Sequence, residues 1–255
     1  MCRMILLWGN FSDDFGSIFR SLEDVAQDDP LLRKDGKKGS HKDGWGFLNI
    51  TDDSIEYRRF ATPLTLKTSE PKVRDGLAIV HARAAAPGEG LGVLNTHPFH
   101  EQDETYDVYI SHNGWFDKEG MNDILELETV KSMNDTEVFL RLVMSRKGTI
   151  ETRVKNALDL SRKNGYIKGG ANIYIIALRK ATNETTIIFF SDVGPELDYN
   201  EFYRLYSITG VNWNGIVSSS LIISDYFPNK IEFSPIERGK IYTRKIDLSN
   251  LKQTA

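Results

Sequence analysis

The stretch that most narrows the fold lies in the C-terminal third of the chain. Ala171 to Leu178, Thr185 to Phe190, Glu201 to Thr209, Gly215 to Ile223 and Lys240 to Ile246 read as strands with only turns between them. Parallel neighbours need a crossover of a dozen or more residues, so these strands are expected to be antiparallel. Upstream, the short apolar run Met1-Cys2-Arg3-Met4-Ile5-Leu6-Leu7-Trp8 predicts a first strand. Phe15, Ile18, Phe19, Leu22, Val25 and Ala26 then recur at helical spacing, with Ser12 or Asp13 available as a cap.

Residues 28 to 43 are polar and predict a loop. Gly44–Ile50 and Ser54–Phe60 flank Asp52-Asp53 and predict a hairpin. Leu77–Arg83 reads as a buried strand whose continuation through Pro87, Gly88, Gly90 and Gly92 cannot be regular structure. Asp107–His112 is strand-like and is expected to stop in a tight turn at Asn113-Gly114. Two helices follow. One starts near Asp135 and turns Val138, Phe139, Leu142 and Val143 inward; the other carries Ile150, Val154, Ala157 and Leu158 and ends at Gly165. Helices grouped in this order can cover the outer faces of two stacked sheets. The expectation is an α+β fold, a four-layer sandwich of two antiparallel sheets flanked by helices, forming one domain over residues 1–255.

With 255 residues, 40% of them hydrophobic, the chain can bury a sizeable core. A net charge of −4 and a pI near 5.8 argue against nucleic acid or an anionic membrane as partner. The densest basic cluster, Lys34-Asp35-Gly36-Lys37-Lys38, reads as a solvated loop. The N-terminal apolar run soon meets Asp13 and Asp14, too short for a signal-peptide core or a membrane span. A single cysteine excludes an internal disulfide and suits a reducing cytoplasm.

That cysteine is Cys2. Removal of the initiator methionine would leave its thiol beside a free α-amine, a group that titrates near ~8 and can take the thiol proton at neutral pH. A retained Met1 would lock the amine in a peptide bond, so its removal is expected. A thiolate that cleaves a carboxamide also needs oxyanion donors and charges that hold the substrate. Asn113-Gly114 offers a carboxamide N–H and a backbone N–H. Arg83, ending a buried strand, has a planar fork suited to a carboxylate, although a structural ion pair would equally explain it. Asp135 suits a helix first turn and could also receive an ammonium. His97 and His100 form the one imidazole pair that suggests a metal, but Pro98 opposes a helix there and no second ligand pair is evident. Neither metal nor cofactor is expected. A papain-like pairing of the cysteine with His97 or His112 has no local support.

Six stretches together carry a family likeness. Met1-Cys2-Arg3, His41-Lys42-Asp43-Gly44-Trp45-Gly46, Val80-His81-Ala82-Arg83, Asn95-Thr96-His97-Pro98-Phe99, Ser111-His112-Asn113-Gly114 and Asn134-Asp135-Thr136-Glu137 resemble, in order, the motifs of class II glutamine amidotransferase domains, which are N-terminal nucleophile hydrolases. The resemblance implies an αββα sandwich. It also implies that Cys2 forms a γ-glutamyl thioester and releases ammonia, with its own amine as base. Asn113 and Gly114 would make the oxyanion hole, Arg83 would bind the α-carboxylate of glutamine, Asp135 its α-ammonium, and His97 is grouped with the substrate-binding residues. Family members place a tryptophan directly after the arginine and a threonine soon after; here Ala84 and Ala86 stand instead.

Large members carry a second domain that consumes the ammonia, and this chain ends at Ala255. The expectation is therefore a stand-alone amidohydrolase acting on L-glutamine, alone or as the ammonia source of a separate synthetase subunit. Two alternatives stay open: a γ-glutamyl amide hydrolase with a larger leaving group, similar to the ergothioneine-pathway members, and a catalytically silent regulatory module.

Overall fold

The apolar run after Cys2 becomes a central strand, and much of the first half of the chain is arranged by what pairs with it. The computed structural model describes residues 1–34, 37–86, 88–182, 184–194 and 201–249. Asp35 and Gly36 of the basic cluster, and Pro87 of the irregular stretch, lie outside the described residues. In chain order the elements are β1 (Arg3–Gly9), α1 (Ser12–Gln27), β2 (Asp29–Lys34), β3 (Lys37–Gly39), β4 (Trp45–Ile50), β5 (Ile55–Phe60), β6 (Gly76–Ala82), β7 (Phe99–Gln102), β8 (Tyr106–Phe116), α2 (Lys118–Leu125), α3 (Asp135–Met144), α4 (Ile150–Lys163), β9 (Ile167–Arg179), β10 (Thr185–Phe190), β11 (Leu205–Gly210), β12 (Trp213–Ser218), β13 (Glu232–Pro235) and β14 (Ile241–Ile246). None of the described helices is long and apolar enough to cross a membrane.

The chain divides into two compact units: Met1–Pro98 with Asn200–Ile236 and Leu248–Ala255, and Phe99–Tyr199 with Glu237–Asp247. The first holds a sheet in the order β13-β11-β12-β1-β6-β4-β5, antiparallel throughout. β1 sits between β12 and β6, with Ile5 opposite both Val217 and Val80. Strands β4 and β6 are buried at every position, which explains why they read as unbroken apolar runs rather than as an alternation. Helix α1 lays Phe15, Ile18, Phe19, Leu22 and Val25 onto Ile5, Leu7, Phe47 and Val80. Its cap differs from expectation. Ser12 is already helical, Phe11 is the cap without a side-chain bond, and the Ser12 N–H is taken instead by Asp75 Oδ1 at 2.8 Å. Part of the expected loop 28–43 is the small hairpin β2–β3.

Glu23 is the one uncomfortable residue on α1. It is 5% exposed, and its Oε1 has no hydrogen-bond partner among the described residues. Burial pushes its carboxyl up to about 7, against the pull of Arg20 and with a further push from Glu70. The folded state thus keeps a proton that the unfolded chain releases from about pH 4.5 upward, so Glu23 costs stability increasingly as pH rises through that window. Glu23→Gln is expected to stabilise the protein by about 1–2 kcal/mol at pH 8 and by almost nothing at pH 4. Urea unfolding at the two pH values checks it, and an equal gain at both would show that ionisation is not the cause.

The second unit holds the sheet β14-β10-β9-β8-β7, again antiparallel. Val138, Phe139 and Leu142 of α3 and Val154 and Leu158 of α4 pack on Val108, Ile110, Ile173 and Ile175. The five C-terminal segments are antiparallel as expected, but they do not share one sheet: β9, β10 and β14 lie in this one, β11 and β12 in the other. The segment from Glu201 opens with a 3₁₀ turn, Glu201–Tyr203, and the one ending at Ile223 closes with another, Ser219–Ile223. Helix α2, absent from the sequence expectation, is capped by Asp117, which accepts the Gly120 N–H at 2.9 Å.

The expected turn at Asn113-Gly114 does not form. β8 runs on to Phe116, with Asn113 opposite Asn172 and Gly114 opposite Ala171. Glycine is needed at 114 because of close approach: a Cβ there would stand 1.6 Å from the Gly170 carbonyl oxygen. Each unit is therefore built on one large antiparallel sheet with α-helix packed on it, the small β2–β3 hairpin standing apart in the first, in line with the α+β class expected.

Candidate active site

In the first unit the site residues are set by register. Arg3 pairs with Ala82, and the next residues along the two chains are Cys2 and Arg83, whose guanidinium acts on the Cys2 thiol. The chain after β6 is pinned there: the Arg83 N–H donates to the Gly44 carbonyl at 2.8 Å, and its own carbonyl accepts from the Asp43 N–H at 2.9 Å. The Asp43 carboxylate then receives the Ala85 N–H at 2.9 Å. Gly44 has φ +120°, and a Cβ there would stand 2.7 Å from Phe60 O and Thr96 Oγ1. A Cβ on Gly46 would lie 2.3 Å from the His97 carbonyl. The Gly-Trp-Gly piece of the motif is thus a packing requirement that brings the loop to Arg83, with Trp45 anchored in the core.

Cys2 is buried, with Sγ 3.8 Å from the Ala84 carbonyl oxygen. Burial pushes its thiol up, opposed by the chain's own ammonium and by Arg83. In this form of the chain the Met1 ammonium donates to the Ala84 carbonyl at 2.6 Å. Arg83 is 1% exposed. Its Nη2 donates to Glu89 Oε2 at 3.2 Å, and Nη1, equally buried, has no partner among the described residues. A buried guanidinium with one pair and one unspent nitrogen has capacity for a second carboxylate. His97 is buried with its ring stacked on His81, centroids 4.1 Å apart.

Behind Cys2 lies a polar cluster that the sequence reading missed. Asp29 is fully buried; its Oδ2 accepts from Arg3 Nε at 2.5 Å, His41 Nε2 at 2.8 Å and Ser220 Oγ at 3.0 Å, and its Oδ1 from the Leu31 N–H at 2.9 Å. Burial alone would raise this carboxyl, but the His41 hydrogen bond and the Arg3 guanidinium outweigh it and hold the group well below the usual carboxylate range. The His41 pKa is also held down: burial disfavours its cation and Arg3 adds to the effect, against the hydrogen bond to Asp29. Arg3 also donates Nη1 to the Phe202 carbonyl at 2.7 Å and lies 3.6 Å over the Phe202 ring. The one sequence signal was the histidine of the His41-Lys42-Asp43 motif. Asp29 fell in a stretch expected to be loop.

The second unit holds the remaining candidates. Asn113 is fully buried on β8. Its neighbour His112 holds Thr136 Oγ1 at 3.0 Å through Nδ1 and stacks on Phe116. Asp135 opens α3, whose cap is Asn134. Its Oδ2 accepts the Phe116 N–H at 2.8 Å, and its Oδ1 the Thr136 N–H at 2.7 Å and hydroxyl at 3.3 Å. Burial pushes this carboxyl up while those donors oppose the shift. Asp135 thus ties the end of β8 to α3, and three accepted bonds leave a carboxylate room for one more donor. His100, weighed above as a metal ligand with His97, pairs with Asp107 at 3.0 Å and stacks on Tyr109.

No family model and no curated protein matches the sequence. Solved structures do. The chain aligns over 97% of its length with the allosteric regulatory enzyme of purine biosynthesis, at TM-score 0.63 and 18% identity, covering 49% of that chain. It aligns to the same extent with glutamine phosphoribosylpyrophosphate amidotransferase from B. subtilis, at TM-score 0.61 and 16% identity, again covering 49%. The chain spans about half the length of each, and what it shares with them at these identities is the fold: it has the fold of about half of a glutamine phosphoribosylpyrophosphate amidotransferase.

Proposed function

We propose that this chain is an amidohydrolase of the class II glutamine amidotransferase kind, hydrolysing the side-chain amide of L-glutamine. The observation that carries the reading is Arg83: buried at the end of the strand that pairs with β1, close enough for its charge to act on the Cys2 thiol, committed to Glu89 by one nitrogen and unspent at the other. A guanidinium kept dry at such a place suits the α-carboxylate of a free amino acid. The remaining assignments follow the resemblance of the six motifs, and the shared fold is compatible with them.

Met1 is removed, and the Cys2 amine takes the thiol proton. The thiolate attacks the glutamine side-chain carbonyl carbon, and Asn113 and Gly114 stabilise the oxyanion. The carbon–nitrogen bond breaks, the proton held by the amine goes to the leaving nitrogen, and ammonia departs from a γ-glutamyl thioester. Water, deprotonated by the same amine, attacks the thioester carbon; the carbon–sulfur bond breaks, glutamate leaves, and the ammonium returns its proton to the Cys2 sulfur. Asp135 accepts the substrate α-ammonium, and His97 lies among the substrate-binding residues. The domain supplies ammonia to a separate synthetase or acts alone.

The test is ammonia release by Met1-free protein from L-glutamine, run beside a γ-glutamyl anilide. Glutamine is expected to turn over with a γ-glutamyl adduct trapped on Cys2 by mass spectrometry. Turnover of the anilide alone would replace this reading with the larger-leaving-group hydrolase. Turnover of neither would favour a silent module.

A further inference from the structure

The buried Asp29 cluster has no part in these steps, yet one of its members, His41, touches the Met1–Cys2 peptide. His41 Nδ1 lies 2.7 Å from the Met1 carbonyl oxygen. On the other side, the ionised Asp29 carboxylate can only accept, so His41 Nε2 must carry a proton. The carbonyl is also an acceptor only. With Met1 in place, both ring nitrogens therefore face acceptors, which asks for a proton on each. That is a cation at a fully buried position, with the Arg3 guanidinium bound to the same carboxylate oxygen. Burial and Arg3 oppose it and together outweigh Asp29 and the Met1 carbonyl, which favour it.

We propose that loss of Met1 turns His41 from donor to acceptor: Nδ1 exchanges the departed carbonyl for the Cys2 α-amine, so that His41 is the positioning residue of the catalytic base. The amine nitrogen and the carbonyl oxygen hang on the same carbon, roughly 2.3 Å apart, so the nitrogen starts close to the place Nδ1 already addresses. A neutral amine that donates one hydrogen to Nδ1 keeps its lone pair for the thiol. The ring is held for this role, since Asp29 is itself fixed by Arg3, Ser220 and the Leu31 N–H. The proposal rests on the reading of Cys2 as the mature nucleophile.

The test compares protein that retains Met1, made with cellular methionine aminopeptidase inhibited, with protein whose Met1 has been removed in vitro. In ¹⁵N spectra, the His41 Nδ1 resonance is expected to move from the proton-bearing range to the lone-pair range when Met1 is lost. In the processed enzyme, His41→Phe is expected to lower kcat by about 30-fold with KM for glutamine within about twofold. His41→Asn, whose side-chain amide stands near the Nδ1 position, should recover most of that loss. A resonance that stays proton-bearing after processing overturns the proposal, as does wild-type kcat in His41→Phe. Should His41→Phe fail to fold, the wild-type resonance still decides. It also decides if the enzyme turns over no glutamine at all, an outcome that removes the glutaminase reading alone.

Discussion

Cys2→Ala is expected to lower ammonia release from glutamine by roughly 10⁴-fold or more, because the reaction loses its covalent intermediate and no other cysteine can replace it. With Met1 in place burial pushes the thiol up, which is why the sulfur depends on a base close by. Cys2→Ser keeps the proton and the shape but offers a much weaker nucleophile, and it should fall nearly as far. Neither change touches the hydrogen bonds of β1, so unfolding free energy should shift by no more than about 1–2 kcal/mol. Steady-state ammonia release beside urea unfolding separates the two effects. Residual turnover within tenfold of wild type in the alanine variant would remove Cys2 from the chemistry.

The largest stability effect is expected at Asp29. Its carboxylate gathers Arg3, His41, Ser220 and a backbone N–H in a place without water-facing surface. Asp29→Ala leaves the Arg3 charge buried and uncompensated, and should cost about 3–5 kcal/mol. The pH dependence has a defined direction. Because the folded Asp29 carboxyl titrates well below its ordinary value of 3.8, its contribution is complete above about pH 4 and is lost as pH falls toward the folded pKa. His41 acts in the same direction at milder acidity. Its folded pKa is depressed from 6.5, so the unfolded chain takes up a proton first and stability declines as pH drops below that value. Urea midpoints from pH 7 to pH 3 for wild type and Asp29→Ala measure both. A loss under 1 kcal/mol at pH 7 would mean that Arg3 finds water or another acceptor once Asp29 is gone.

Strands and helices with a strong apolar period were readable in the sequence: β1, β6, β10, the β4–β5 hairpin and helices α1, α3 and α4 all lie close to where the pattern put them. The β2–β3 hairpin was not, because its Asp, Lys and Gly content reads as loop. The edge strands β7 and β13, of four residues each, are too short for a period to show. At Asn113-Gly114 local preference was overridden by the neighbouring strand, which keeps β8 in register through both residues. Cys2 and Arg83 stood out because each ends or begins an apolar run. The Asp29 cluster could not stand out: its partners come from 26 residues earlier and 12 and 191 residues later in the chain, and only the folded unit collects them.

The contact between Gly114 and the Gly170 carbonyl bears on how descendants of such a fold should be recognised. A glycine demanded by two backbones lying edge to edge would persist in a copy that had lost all turnover, since replacing it damages the sheet whether or not any reaction occurs nearby. The same holds for Gly44 and Gly46. A screen for decayed, non-catalytic relatives would therefore gain little from the glycines and should weigh the thiol at position 2 and the arginine at position 83, which the architecture has less reason to keep.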